Sequence, residues 1–208
     1  MKAPAVRSQL LRLREDLRAA ADGRDLLDRK REAVLRSLAI ATTNRTRLES
    51  QLRDELRTAR TRLASAQTEL GRAAVDAAAL AQQPLPPVEI GESAIVGVRI
   101  PHLQLRNADV RPLYAPASGS PGLDDATLAW GRVLEPLLAF AAADVAVRRL
   151  KAALARSARR LNALDRELIP SLREELRELS ASLEEEERDD AIRRRQWLAR
   201  SSESRSRA

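Results

Sequence analysis

Apolar residues recur at steps of three and four along the N-terminal third of the chain, which indicates one face of a long helix. One extra step of four near Leu52 is a stutter in this heptad pattern. Between Val6 and Gln82 there is no proline, and glycine occurs only at positions 23 and 71. The sequence therefore predicts a helix over residues 5–82, roughly 110 Å long at about 1.5 Å per residue. Its apolar positions include Leu10, Leu13, Leu17, Leu27, Val34, Leu38, Ala41, Leu48, Leu52, Leu56, Ala59, Leu63, Ala66 and Leu70.

A second stripe with the same period predicts a helix over residues 126–199. Asp124 or Asp125 is suited to cap its N-terminus. Pro136 lies close to the start of this helix, where proline is tolerated, whereas Pro170 is expected to bend the helix because it removes a backbone donor. The apolar positions include Leu134, Leu138, Val145, Leu150, Leu154, Leu161, Leu164, Leu168, Leu172, Leu176, Leu179 and Leu183.

The residues between the two stripes, 83–125, have a different character. Prolines at 84, 86 and 87 end the first helix. The segments 88–90, 95–101 and 103–105 are rich in β-branched or alternating apolar residues, and they predict two or three short strands that form a hairpin. The glycine- and proline-containing stretch 115–122 predicts a mobile loop. Residues 200–208 are expected to be a disordered tail.

Two half-buried helices joined by about 40 residues can bury their stripes only by folding back on each other. The fold class is therefore mainly α: a long antiparallel two-helix left-handed coiled coil with a small β-hairpin and loop segment in the middle. If residue 82 lies near 125, facing residues have numbers that add up to roughly 207. This register brings Arg45 near Asn162 and Asp165, and we expect a polar layer there that fixes the alignment; in the alternative interpretation these groups simply face solvent. The same register brings the acidic run 184–187 near Arg18, Arg24 and Arg29.

The charge pattern favours an exposed helical surface over a dedicated basic patch. The chain has 37 basic and 30 acidic residues, a formal net charge of +7 and a pI of about 10.9. These charges are intermixed, as on the solvated faces of long helices. A basic coiled-coil scaffold or a nucleic-acid-binding protein is the alternative function, but aromatic residues make up only 2% and no basic cluster stands out. We therefore expect no nucleic-acid partner.

No pattern of residues indicates catalysis. The sequence lacks a phosphate-binding loop motif, and His102 is the single histidine. The absence of cysteine excludes disulfides and thiolate metal sites. The acidic run 184–187 would scatter its carboxylates around a helix axis, so a solvated face is the simpler interpretation. We predict no catalytic, cofactor or metal site; an enzyme in its own right is the third and weakest hypothesis. No apolar run is long enough to span a bilayer, and a cytoplasmic chain without direct membrane insertion is expected.

Three stretches together resemble the D subunit of the vacuolar- and archaeal-type rotary ATPases, including the bacterial enzymes of that type. Residues 23–32 are similar to that family's signature of Gly, Leu-Leu and Lys-Arg. Residues 95–101 are similar to a strand of the family that contains Gly-Val and ends in proline. Residues 159–164, Arg-Arg-Leu-Asn-Ala-Leu, followed by Ile169 and Pro170, match the third signature. The resemblance covers almost the whole chain. Two departures are the 115–122 loop, which looks like an insertion, and Leu161, which replaces a valine.

The resemblance implies a non-catalytic central rotor shaft that couples ATP synthesis or hydrolysis in a catalytic head to proton or sodium translocation in the membrane sector. Its implied partners are the hexameric head subunits A and B, the F subunit of the stalk on the side of the coil, and the socket subunit (C/d type) on the membrane ring. The complex would be peripheral to the inner or plasma membrane, with the helix ends toward the head and residues 84–125 toward the membrane.

Arg45, Asn162 and Asp165 are assigned to the register of the coil on the alignment argument, and Pro170 to its bend. The motifs of the resemblance add Gly97 and Pro101 in the middle segment. The head-contacting residues are expected to be Leu10, Leu13, Leu17, Gly23, Leu26, Leu27, Lys30, Arg31, Leu179, Leu183 and Ile192.

Overall fold

A computed structural model of the chain describes residues 7–82, 84, 87–106 and 120–206, with side chains up to Trp197 in the last helix. The elements are, in chain order, α1 (Arg7–Leu70), α2 (Arg72–Ala81), β1 (Val88–Ile95), β2 (Val98–Leu105), α3 (Pro121–Ala163), a π-helical turn (Leu164–Leu168) and α4 (Ile169–Ser206). The predicted 115–122 loop lies mostly outside the described residues. Contacts divide the chain into a terminal unit, residues 1–31 and 156–208, and a central unit, residues 32–155.

Long helices and one β-hairpin confirm the predicted mainly α fold class. The predicted first helix is nevertheless interrupted at Gly71, whose φ of 79° and ψ of 155° lie in a region essentially restricted to glycine. The segment predicted as the last part of the first helix is therefore a separate helix, α2. The C-terminal helix also begins earlier than predicted, at Pro121, and continues to Ser206, where the sequence predicted a tail from residue 200.

Two apolar clusters join α1 to α3 in the central unit. Leu52 and Ala59 of α1 pack with Ala129 and Val133 of α3. Closer to Gly71, Ala66 packs with Val75 of α2 and with α3, in a cluster completed by Ala78, Leu123 and Ala126. Alanine at many of these buried positions lets the helix backbones approach closely. The apolar burial explains why α2 turns back onto the pair after the break at Gly71.

The β-hairpin packs against the middle of α1 and α3, at a distance in sequence from the end of α1. β1 pairs antiparallel with β2, with Ile95 opposite Val98. Inward-facing Val98 and Ile100 of β2 join a buried cluster with Val34, Ala146, Leu150 and Ala153. Val34 and Leu150 are completely buried. The hairpin thus folds back along the helices of the central unit.

The hairpin turn falls inside the stretch 95–101 that the sequence assigned to one strand. Val96 and Gly97 have φ values of 51° and 73°, and positive φ at both central residues is what a type I′ turn requires. Positive φ is unusual for a β-branched residue. Val96 packs against the cluster around Leu150, which offsets the cost of this backbone conformation.

In the terminal unit, the π-helical turn Leu164–Leu168 directly precedes Ile169 and Pro170. The Ile169 N–H donates to the Leu164 carbonyl, one residue further back than in an α-helix. Pro170 has no N–H to donate, so the local change in hydrogen bonding coincides with the proline at which the sequence predicts a bend. Leu161 and Ile169 on either side of the turn are buried.

Candidate interaction surfaces

Arg45 is the centre of an ion-pair cluster in the central unit. Its Nε donates to Asp144 Oδ1 at 2.8 Å, and its Nη1 lies 3.4 Å from Glu49 Oε2. The guanidinium carbon is 5.3 Å from the centroid of the Phe140 ring. Asp144 also accepts from Arg148 at 2.7 Å. Because Arg45 is on α1 whereas Asp144 and Phe140 are on α3, the cluster connects the two helices.

In the terminal unit, Arg24 of α1 contacts Asp165 of the π-helical turn, with Nε 3.1 Å from Oδ1. Nearer the chain ends, Arg7 pairs with Glu187 at 2.5 Å. Arg7, early in α1, thus pairs with Glu187 late in the C-terminal helix, whereas Arg24, later in α1, pairs with the earlier residue Asp165. The helices of this unit are therefore antiparallel, as they are in the central unit.

These pairs correct the predicted register. The residue numbers 45 and 144 add up to 189, as do 24 and 165, whereas the predicted total is roughly 207. Each residue of α1 therefore faces a residue several helical turns away from its predicted partner. The prediction placed the helix reversal at 82 and 125, whereas α1 ends at Leu70 and α3 begins at Pro121. The break at Gly71 accounts for the difference.

The predicted polar layer is accordingly wrong in its partners. Arg45 pairs with Asp144 in the central unit, Asp165 pairs with Arg24 in the terminal unit, and Asn162 is exposed. The acidic run meets Arg7 through Glu187, rather than the predicted arginines.

The ion pairs alter the ionisation of two groups. The hydrogen bond from Arg45 lowers the pKa of Asp144 below its ordinary value, and the charge of Arg148 acts in the same direction against partial desolvation. Hydrogen bonds to Asp25 and then to Asp165 raise the pKa of Arg24 further above its usual range. Both shifts favour the charged forms.

An open groove of about 890 Å³ runs between α1, the hairpin and α3 in the central unit. Its lining is mainly apolar, with Arg47 and Glu135 among the charged residues at its surface. Ile40, which is 73% exposed, lies on the α1 side. Pro101, one of the two residues assigned to the middle segment, lines the groove from β2, whereas Gly97 forms the hairpin turn. The sequence did not predict this groove, because it forms only when the hairpin folds back onto the helices.

The residues assigned to head contacts differ in exposure. Leu26 is 68% and Ile192 is 51% exposed, and Lys30 and Arg31 are exposed as well. Trp197, which the sequence did not single out, is 70% exposed. The remaining assigned positions are half-buried within the terminal unit, which leaves less of each side chain for a partner: Leu10, Leu13, Leu17, Gly23, Leu27, Leu179 and Leu183.

The short helix α2 in the central unit carries another exposed apolar side chain. Leu80 of α2 is 89% exposed. At the start of α3, Ser120 accepts from the Leu123 N–H and donates to Glu69 Oε2 at 3.3 Å, which caps α3 and attaches it to the end of α1.

Within residues 7–82, 87–106 and 120–197, no group of three or more acidic or histidine side chains is arranged to hold a metal ion. In the same described part of the chain, no helix combines the length and apolarity needed to cross a membrane.

Comparison with known proteins assigns a family to this arrangement of helices and hairpin. The family model for the D subunit of ATP synthase matches residues 9–198. The chain belongs to the ATP synthase D subunit family. This family is that of one component of a larger complex, so the chain is identified as a part of an ATP synthase rather than an enzyme in its own right.

Individual members of the D subunit family match over most of their length. The D subunit of the V-type ATP synthase of Thermotoga neapolitana is 30% identical over 193 residues, which cover 93% of this chain and 95% of the relative. The D subunit of the A-type ATP synthase of Methanopyrus kandleri is 27% identical over 90% of this chain and 82% of the relative. The D subunit of the A-type ATP synthase of Pyrococcus furiosus is 26% identical over 93% of this chain and 92% of the relative. Relatives of both the V-type and the A-type are thus similar to most of the chain.

Proposed function

We propose that this chain is the non-catalytic central rotor shaft of a V/A-type ATP synthase. By rotating, it would couple ATP synthesis or hydrolysis in the head to proton or sodium translocation in the membrane sector. The observation that carries the proposal is membership of the D subunit family combined with antiparallel helix pairing in each unit. Torque transmission needs a stiff element, and two packed helices resist bending better than one helix.

The surface chemistry of the chain supports a rotor. A shaft that turns within a bearing needs contacts that exchange easily, and polar, hydrated contacts satisfy this requirement better than deep apolar ones. The helix surfaces carry ion pairs that are mostly solvent-exposed, such as Arg7 with Glu187 and Arg62 with Asp125. Exposed charged pairs of this kind exchange with water at little cost.

Three surfaces are suited to three partners. We assign exposed Leu26, Ile192 and Trp197 of the terminal unit to the hexameric head, which is formed by the A and B subunits. The groove that contains Ile40 is assigned to the F subunit of the stalk, since it is open, apolar and lies on the side of the helix pair. We assign α2, with exposed Leu80, to the socket subunit on the membrane ring. The assembled chain would then be cytoplasmic and peripheral to the inner or plasma membrane.

Co-purification tests the proposal. The full chain is co-expressed with tagged A and B subunits and with the F subunit, and the complex is analysed by size-exclusion chromatography and native mass spectrometry. We expect one copy of the chain with each hexameric head, together with the F subunit. Failure to co-elute with either partner, or several copies on each head, would contradict the proposal. ATP hydrolysis by the isolated chain would contradict its non-catalytic role.

A further inference from the structure

The apolar seam of the central unit does not by itself choose one alignment of α1 on α3. The buried α1 positions Leu52, Ala59 and Ala66 are one heptad apart. Opposite them, α3 buries Leu123, Ala126, Ala129 and Val133 at steps of three and four. When one helix slides past the other by a heptad, apolar side chains of the seam still meet apolar side chains. Such seams specify register weakly, and polar residues commonly supply the missing specificity.

Arg45 is placed to specify the register of α1 on α3. The Arg45 side chain is 33% exposed and that of Asp144 is 26% exposed, so both charges are partly removed from water. Two of the three groups around the guanidinium, Asp144 and Phe140, belong to the opposite helix. A partly desolvated charge costs free energy when it loses its partner.

A one-heptad displacement changes the partner of Arg45 completely. In one direction Lys151 takes the place of Asp144, and Val147 takes the place of Phe140. In the other direction Leu137 takes the place of Asp144. Arg45 would then face a like charge or an apolar side chain on α3, and of its two carboxylate partners only Glu49 on its own helix would remain. The free-energy cost of separating Arg45 from Asp144 therefore distinguishes alignments that the apolar contacts between α1 and α3 tolerate.

We propose that Arg45, through Asp144 and Phe140, selects the alignment of α1 on α3 and holds it against displacement by a heptad. The inference goes beyond the proposed function, because it concerns the chain itself and holds whatever the chain assembles with.

Engineered disulfides can measure the alignment directly, since the chain contains no cysteine. Ala59→Cys with Ala129→Cys reports the observed alignment, because these buried residues share one cluster. Ala66→Cys with Ala129→Cys reports the alignment displaced by one heptad, in which Arg45 faces Lys151. Each pair is equilibrated in a glutathione redox buffer in the full-length chain, and mass spectrometry measures the bridged fraction.

The test variant is Arg45→Asp, which opposes Asp144 in the observed alignment and attracts Lys151 in the displaced one. With the original Arg45, we expect the first cysteine pair to bridge and the second to stay reduced. In Arg45→Asp, bridging of the displaced pair should increase by about fivefold or more, at the expense of the first pair. Arg72→Asp is the matched control, because Arg72 pairs with Asp76 on its own helix, is 86% exposed and lies outside the Arg45 cluster; it should leave both fractions unchanged.

Two outcomes would overturn the proposal. One is a helical Arg45→Asp chain that still bridges only the first pair. If Arg45→Asp instead loses its helical circular dichroism, the double variant Arg45→Asp/Asp144→Arg decides, because it reverses the ion pair. Recovery of the first bridge in the double variant supports ionic selection, and failure to recover it contradicts the proposal.

Discussion

The Arg45 guanidinium on α1 donates from Nε to Asp144 Oδ1 on α3 at 2.8 Å. It joins two helices that are far apart in sequence and lies in a seam whose other buried members are mainly small and apolar. Because the pair is only partly exposed, it is sensitive to protonation, to substitution and to the alignment of the helices. These sensitivities can be measured separately.

The pKa of Asp144 is expected to depend on Arg45. Its folded pKa lies below the ordinary aspartate value of 3.8, so the pair contributes stability that is fully present above this value and is lost as the pH falls through the folded pKa. A carbon-detected NMR titration should therefore give Asp144 a midpoint below 3.8. Arg45→Ala should raise the midpoint more than Arg148→Ala does, since the Arg45 hydrogen bond is the largest cause of the shift. Identical midpoints in the original chain and Arg45→Ala would contradict this account.

Gly71→Ala is expected to destabilise the central unit by about 1–3 kcal/mol, because the φ of 79° at this position strains any residue with a Cβ. No atom lies within 4 Å of the position that this Cβ would take, so crowding is not the cause. Urea unfolding followed by circular dichroism measures the change.

Gly122→Ala is the control for Gly71. Its added Cβ would meet Glu69 Oε2 at 2.6 Å, but this atom is the end of a flexible side chain that can move, at the cost only of its exposed 3.3 Å hydrogen bond from Ser120. The change in unfolding free energy should stay within about 0.5 kcal/mol. Equal effects of the two substitutions would show that the backbone conformation of Gly71 is not what ends α1.

The importance of Gly71 illustrates what the sequence could not predict. An isolated glycine in a helical pattern usually costs only about 1 kcal/mol, and apolar positions continue beyond it through Ala73, Ala77 and Leu80. Periodicity therefore predicted one unbroken helix. The break shifts the helix reversal, and with it every predicted partner across the seam.

Other features were predictable to different degrees. The helices and the hairpin were confirmed because their periods and proline boundaries are local signals. The turn at Val96 was missed, since a β-branched residue at positive φ is unusual and depends on packing around Leu150. The Ile40 groove depends on where the hairpin folds back, which no local pattern encodes. Asp144 could be paired with Arg45 only after the register was known.

Ile40→Asp is expected to weaken binding of the F subunit by roughly 30-fold or more, the effect typical of a lost apolar anchor. Ile40 is 73% exposed, so the substitution should leave the fold of the chain intact. Ile90→Asp is a matched control, because Ile90 is equally exposed but does not line the groove. Biolayer interferometry with the F subunit immobilised measures both. Equal loss of binding in the two variants, or no loss in either, would contradict the assignment of the groove to this partner.

Leu26→Asp and Leu80→Asp should separate the two ends of the proposed shaft. Both side chains are largely exposed, at 68% and 89%. Leu26→Asp is expected to lower retention of the chain by the A and B subunits while binding to the socket subunit persists; Leu80→Asp is expected to do the reverse. Pull-down against each partner measures the pattern. The reversed pattern would contradict the proposed direction of the chain.

The central claim is that this chain rotates within the head, and single-molecule rotation tests it most directly. A cysteine introduced as Ile90→Cys on the hairpin gives one exposed attachment point for a bead outside the groove, since the chain has no other cysteine. The head is immobilised on glass through its A subunits, and ATP is added to complexes whose hydrolysis is measured in the same preparation. We predict stepwise rotation of the bead in one direction. A bead that stays fixed while the complex hydrolyses ATP would contradict the claim.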